Sequence, residues 1–108
     1  MALDAAFVDA WVNLGRLLHE GGHASEAVRI YHRALTLAPD DPVVHFNLAL
    51  ALEDAKGAEP ALAHYRRALE LDPHFADAHY NLAGLYEQLG RKAEALRHYR
   101  DYKRLTGA

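Results

Sequence analysis

Apolar positions along this chain recur in helical stripes. His45, Leu48, Ala49 and Leu52 fall at i, i+3, i+4 and i+7, which is one face of a helix. Ala61, Leu62, Tyr65, Ala68 and Leu69 repeat that spacing after a break at Lys56-Gly57. Gly21-Gly22 and Gly90 stand at equivalent breaks, where glycine permits the left-handed turn that ends a helix. Asp41-Pro42 supplies an N-cap and a proline in the first helical position. Pro60 fits the first turn of the following helix, where its missing N–H costs little. Strand signals are absent. The pattern predicts six helices, near 8–21, 24–37, 42–55, 58–71, 76–89 and 92–105, joined by short turns.

The stripes themselves repeat. At an offset of 34 residues Asn13, Asn47 and Asn81 fall in register, each followed by a leucine. Ala27, Ala61 and Ala95 match, as do Tyr31, Tyr65 and Tyr99, and Leu18 and Leu52 align with Tyr86. Leu37, Leu71 and Leu105 keep the phase, and Pro39 and Pro73 close the first two units. A fixed period of this size means a stacked array, in which each unit buries its apolar face on its neighbour. The units run 8–41, 42–75 and 76–108.

Residues 1–7 resemble the tail of a preceding unit, because Leu3, Asp4 and Phe7 are in phase with Leu71, Asp72 and Phe75. Two accounts are open: a stub packing over the first helix, or a chain cut from a longer one. At the other end Ala34-Leu35 and Ala68-Leu69 become Tyr102-Lys103, so the last helix is expected to face solvent as its own cap.

Trp11-x-x-Leu14-Gly15-x-x-Leu18, followed by Ala27, Tyr31, Ala34 and Pro39, resembles the signature of the tetratricopeptide repeat. The later units keep most of it, with His45 and His79 in place of tryptophan and Ala49 and Ala83 in place of glycine. The resemblance covers residues 8–105 and implies an all-α fold, an α-solenoid of three antiparallel helix pairs. The small residues let the paired backbones approach closely, and the tyrosines fill the space between layers.

By that resemblance the first helix of each unit would line a concave groove. Its free stripe comprises Asp9, Val12, Asn13, Arg16, His19 and Glu20, then Val43, Phe46, Asn47, Leu50, Glu53 and Asp54, then Asp77, Tyr80, Asn81, Gly84, Glu87 and Gln88. Val12, Phe46, Leu50 and Tyr80 would be apolar side chains in a surface cleft, a feature of partner sites. Each asparagine carboxamide can pair with both polar groups of a peptide unit. The ladder resembles that of the protein O-linked N-acetylglucosamine transferase repeats, which holds an extended peptide by its backbone. The other role open to these asparagines is bonding to helix carbonyls to fix repeat stacking. Val12, Asn13, Arg16, Phe46, Asn47, Leu50, Tyr80, Asn81 and Gly84 are thus the candidate peptide-binding residues, with Glu20, Glu53, Asp54 and Glu87 as an acidic rim. The carboxylate clamp of domains that grip acidic chaperone tails does not fit. That pattern wants Lys and Asn at Val12 and Arg16, and Lys and Arg at Asp77 and Asn81, so only Asn47 matches.

Charge supports the same direction. The chain carries 12 Lys+Arg against 15 Asp+Glu, a net −3. The second helices, together with Arg91 just ahead of the last, hold ten basic and five acidic residues, six of the basic ones at Arg91, Lys92, Arg97, Arg100, Lys103 and Arg104. The first helices and loops are strongly acidic, which favours a neutral or basic partner. Nucleic acid is not an expected partner of an acidic chain without aromatic interleaving, nor is a membrane, since no apolar run approaches the roughly 20 residues of a span.

Catalysis fails on inventory: Ser25 is the one serine, cysteine is absent, and no metalloprotease, phosphate-loop or dinucleotide motif occurs. Glu53 and Asp54 are adjacent carboxylates whose pKa values an open groove would shift little. The histidines His45/His79 and His64/His98 pair across repeats, where helices about 10 Å apart keep two rings from one zinc at about 2 Å. His19 and His23 straddle Gly21-Gly22, which breaks their i, i+4 geometry. No metal and no cofactor are expected, and His45 and His79 read as partly buried structural residues. The expected function is a cytoplasmic, non-catalytic protein-interaction module holding an extended peptide. The alternative is a structural or weakly self-associating segment of a larger protein, resembling repeats that follow helix-turn-helix domains in some bacterial regulators.

Overall fold

The computed structural model describes residues 5–107. It contains α1 (Ala5–Glu20), α2 (Ala24–Leu37), α3 (Pro42–Lys56), α4 (Ala58–Leu71), α5 (Ala76–Gln88) and α6 (Lys92–Thr106), with no strand among the described residues. The all-α solenoid of three antiparallel pairs is therefore present. The helices stack into an elongated body of 43 × 26 × 21 Å. No helix of the described residues is long and apolar enough to cross a membrane.

The sharpest boundary expectation holds at α3. Asp41 accepts a hydrogen bond from the Val43 amide at 2.9 Å through its side chain, and Pro42 occupies the first turn. Gly22, Gly57 and Gly90 take positive φ at the three within-repeat turns, where a Cβ would be strained. The first helix starts three residues earlier than the repeat phase suggests. Ala5, Ala6 and Phe7 contain no proline or capping side chain to halt a helix, whereas Asp41-Pro42 does so in the next unit. Leu3 and Asp4 of the expected stub lie outside the described residues.

Packing is dominated by consecutive helices. Each of α1 to α5 meets its successor, and α1 also touches α3, whereas α2 with α4 and α4 with α6 make at most marginal contact. The first helices of units one and two thus approach each other, whereas α3 with α5 makes at most marginal contact. One main core runs through all three pairs, built on Ala27, Tyr31, Leu48, Ala61, Tyr65 and Leu82 among others. Ala27, Ala61 and Ala95 are buried where the paired backbones approach. Gly15 serves the same end more stringently: a Cβ at that position would lie 2.5–2.9 Å from the Tyr31 ring.

Candidate functional site

The stripe predicted for partner binding is distributed along α1, α3 and α5, with unequal exposure. Asn13 is exposed, and its Oδ1 accepts a hydrogen bond from Arg16 at 3.1 Å. Asn47 and Asn81 are half-buried, and among the described residues no group bonds to either carboxamide. The alternative role, anchoring to helix carbonyls, is thus not the one seen. Val12 and Leu50 are half-buried against the core. Phe46 is also half-buried, its ring 4.8 Å from that of Phe75 and 6.0 Å from that of Tyr65. Tyr80 is 51% exposed and leans on Tyr102 and Tyr99, with ring centroids 5.0 and 5.7 Å away. Gly84 leaves open surface, since a Cβ there would come no nearer than 3.8 Å to the Tyr99 hydroxyl.

The acidic rim is less free than its pattern suggests. Glu53 accepts a short hydrogen bond from the buried Tyr65 hydroxyl, and Glu87 accepts one from Tyr99 at 2.7 Å. Glu53 turns inward, and burial pushes its carboxyl above the usual carboxylate range, with the Tyr65 bond acting in the opposite direction. The expectation that an open groove would leave this carboxylate unshifted is corrected by that burial. Burial and the bond to Glu53 push the Tyr65 phenol up, and the bond to Glu87 pushes Tyr99 up to about 12. Asp54 is exposed and meets His19 Nε2 at 2.5 Å, which ties the first repeat to the second. Glu20 lies 3.9 Å from Arg16, a solvent-exposed pair worth little.

The histidines are arranged differently from the across-repeat reading. They pair within repeats, 19 residues apart, where the two helices of one hairpin face each other. His45 Nδ1 lies 3.1 Å from His64 Nδ1, and His79 Nδ1 lies 2.9 Å from His98 Nδ1. His45 and His79 are buried, as expected, and each bonds a backbone carbonyl through Nε2, to Pro39 at 2.8 Å and Pro73 at 2.9 Å. Burial, followed by the neighbouring histidine, holds both His64 and His98 below the ordinary imidazole range. The missed signal was the recurrence of two histidines at one fixed within-repeat distance in consecutive units.

Shallow clefts also occur beside the stripe. One of about 390 Å³ is lined by Glu87, Lys92, Ala95, Leu96 and Tyr99, and one of about 340 Å³ by residues of α4, α5 and α6 that include Tyr86 and His98. None of the nine candidate peptide-binding residues lines either. Inter-repeat ties outside the stripe include Arg66, which donates to the Tyr86 hydroxyl at 2.8 and 3.0 Å, and Arg67, which reaches Asp40 at 3.0 Å.

Comparison with known proteins agrees with this architecture. Tetratricopeptide repeat models match residues 8–51 and 76–106, and a TPR repeat model matches 59–90. No curated protein matches the chain significantly. Among solved structures the chain is similar to MamA, at 21% identity and a TM-score of 0.85, covering 91% of this chain and 57% of that one. A MamA mutant is 27% identical at a TM-score of 0.81, covering 97% of this chain and 76% of that one. The second TPR of Spaghetti (RPAP3), bound to the HSP90 peptide SRMEEVD, is 19% identical at a TM-score of 0.86, with 91% of both chains covered. The chain spans little more than half of the MamA structure matched at 57% coverage.

Proposed function

Because the chain belongs to the tetratricopeptide repeat family, we propose that it is a non-catalytic protein-interaction module that holds an extended peptide segment along its first helices. The observation that carries this reading is the in-register run of Asn13, Asn47 and Asn81, with the last two carboxamides uncommitted. A half-buried amide with free donors and an acceptor is satisfied by a peptide backbone laid beside it. Phe46, Leu50 and Tyr80 flank that run with partly exposed apolar surface. The partner is neutral to basic: Asp9, Glu20, Asp54 and Asp77 are exposed on the first helices, and Arg16 is the one arginine or lysine on the stripe. An acidic peptide such as the one bound to the RPAP3 repeat would meet repulsion along this face.

Panning a random-peptide display library on the chain and on an Asn13→Ala, Asn47→Ala, Asn81→Ala variant tests the proposal. Enriched peptides that bind the chain at least tenfold more tightly than the folded triple variant support it. Equal binding to both, or no enrichment, sinks it.

A second reading, self-association, draws support from the two ends. Leu14 and Leu17 are 42% and 61% exposed, whereas the in-phase Leu48 and Ala51 are fully buried. Leu96 is 53% exposed where Val28 and Leu62 are buried. The basic last unit of one copy stacked on the acidic first unit of another, α6 on α1, would reproduce the packing of α2 on α3. Sedimentation across a hundredfold range of concentration decides it: a constant monomer mass rejects the reading, and a rise abolished by Leu17→Glu supports it.

A further inference from the structure

The last repeat carries three metal-ligating side chains on one spot. The Pro73 carbonyl can only accept, so its 2.9 Å contact places hydrogen on Nε2 of His79 and leaves Nδ1 as an acceptor for the Nδ1–H of His98. That Nδ1 faces Nδ1 of His98 at 2.9 Å and Oδ2 of Asp101 at 3.8 Å. The three donor atoms lie within 4.8 Å of one another, and among the described residues no other three histidine, aspartate or glutamate side chains converge in this way.

We propose that His79, His98 and Asp101 bind one divalent transition-metal ion on the last repeat, zinc by the chemistry of the donors. Two imidazole nitrogens and a carboxylate oxygen are a borderline-soft set, and three protein ligands with water in a fourth position make a common zinc arrangement. At a tetrahedral ion with bonds of about 2.0–2.1 Å, two ring nitrogens sit about 3.3 Å apart and the ring centroids about 5.2 Å apart. The His79 and His98 centroids are already 5.2 Å apart, so the rings need to tilt and not to separate.

The supporting contacts are those of a held ligand set. The Pro73 carbonyl fixes the His79 tautomer, Arg104 donates to the other Asp101 oxygen at 3.3 Å, and the Tyr86 ring stacks on His98 at 5.7 Å. Binding requires no net loss of a proton, because His98 exchanges an Nδ1 hydrogen for one on Nε2. His98 and Asp101 are half-exposed, which leaves a path from solvent.

The second repeat serves as an internal contrast. It holds the same histidine pair, but Arg67 occupies the register position of Asp101 and turns to Asp40 and Glu70. The second repeat therefore lacks the third, carboxylate ligand, and among the described residues the site belongs to the third repeat alone. Its consequence would be a cross-link between α5 and α6, in the repeat whose second helix buries Ala95 alone.

The test is titration of the untagged full chain, at neutral pH, with zinc and with cobalt(II). The expected result is one ion per chain, the visible absorption of four-coordinate cobalt, and a thermal midpoint raised by about 10 °C at zinc a hundredfold above its dissociation constant. Asp101→Arg, which copies the second repeat, and the near-isosteric Asp101→Asn should weaken binding at least tenfold while circular dichroism stays helical. His64→Gln should leave it unchanged. No binding up to millimolar metal, binding that survives both Asp101 variants, or loss in His64→Gln would each overturn the proposal.

Discussion

The middle of the array and its first helix carry the same residues in different circumstances. Leu48 on α3 is enclosed by α2 and α4, while Leu14, its counterpart one repeat earlier, is 42% exposed on α1. The two leucines obey one sequence pattern, yet burial comes from the neighbouring helix and not from the residue. A fully buried leucine contributes about 1.5–3 kcal/mol over an exposed one. In a repeat array the energetic meaning of a motif position is therefore set by what stacks on it.

Substitutions can break this comparison in order of size. Leu48→Ala should cost about 3 kcal/mol in urea unfolding, and Leu14→Ala less than about 1 kcal/mol; equal losses would mean the outer face of α1 is covered in solution. Gly15→Ala should come next, at about 1–3 kcal/mol, because the added methyl meets the Tyr31 ring at 2.5 Å. Gly84→Ala should instead stabilise by up to about 1 kcal/mol, since the methyl has room and alanine favours a helix. The same denaturation series checks both signs.

Tyr65→Phe should cost about 1 kcal/mol by leaving the half-buried Glu53 without its donor. Tyr99→Phe should cost less, because Glu87 is exposed to water. The smallest effect is that of pH on His64. Burial, then His45 and His32, hold its imidazole below the ordinary range, so the unfolded chain takes up a proton where the fold does not. Stability should be level above about pH 6.5 and fall as pH drops through that value, until folded His64 also protonates. Urea midpoints at several pH values should show the fall, and His64→Gln should reduce its slope.

Much of the architecture was legible because a 34-residue period constrains it many times over. Asn13, Asn47 and Asn81 cannot share a phase without sharing a helix face. The starts of α2 to α6 fell at the expected residues, and α1 alone began earlier, where no glycine, proline or capping aspartate interrupts residues 5–7. The site was legible as a stripe and not as a set of contacts. Whether Glu53 faces water or Tyr65 depends on its rotamer and on the depth of the tyrosine. The bond from His19 to Asp54 and the histidine pairs depend on how two helices meet, which periodicity along one helix does not encode.

Nearly all tertiary packing here joins a helix to the one before it and the one after it. Folding such a chain closes short loops only, which places it among low-contact-order proteins that fold in microseconds to milliseconds. Structure can start at any hairpin and grow by one neighbour at a time. Amide protons should then exchange most slowly in α3 and α4, flanked on both sides, and fastest in α1 and α6, so that the ends open and reclose many times while the centre stays shut.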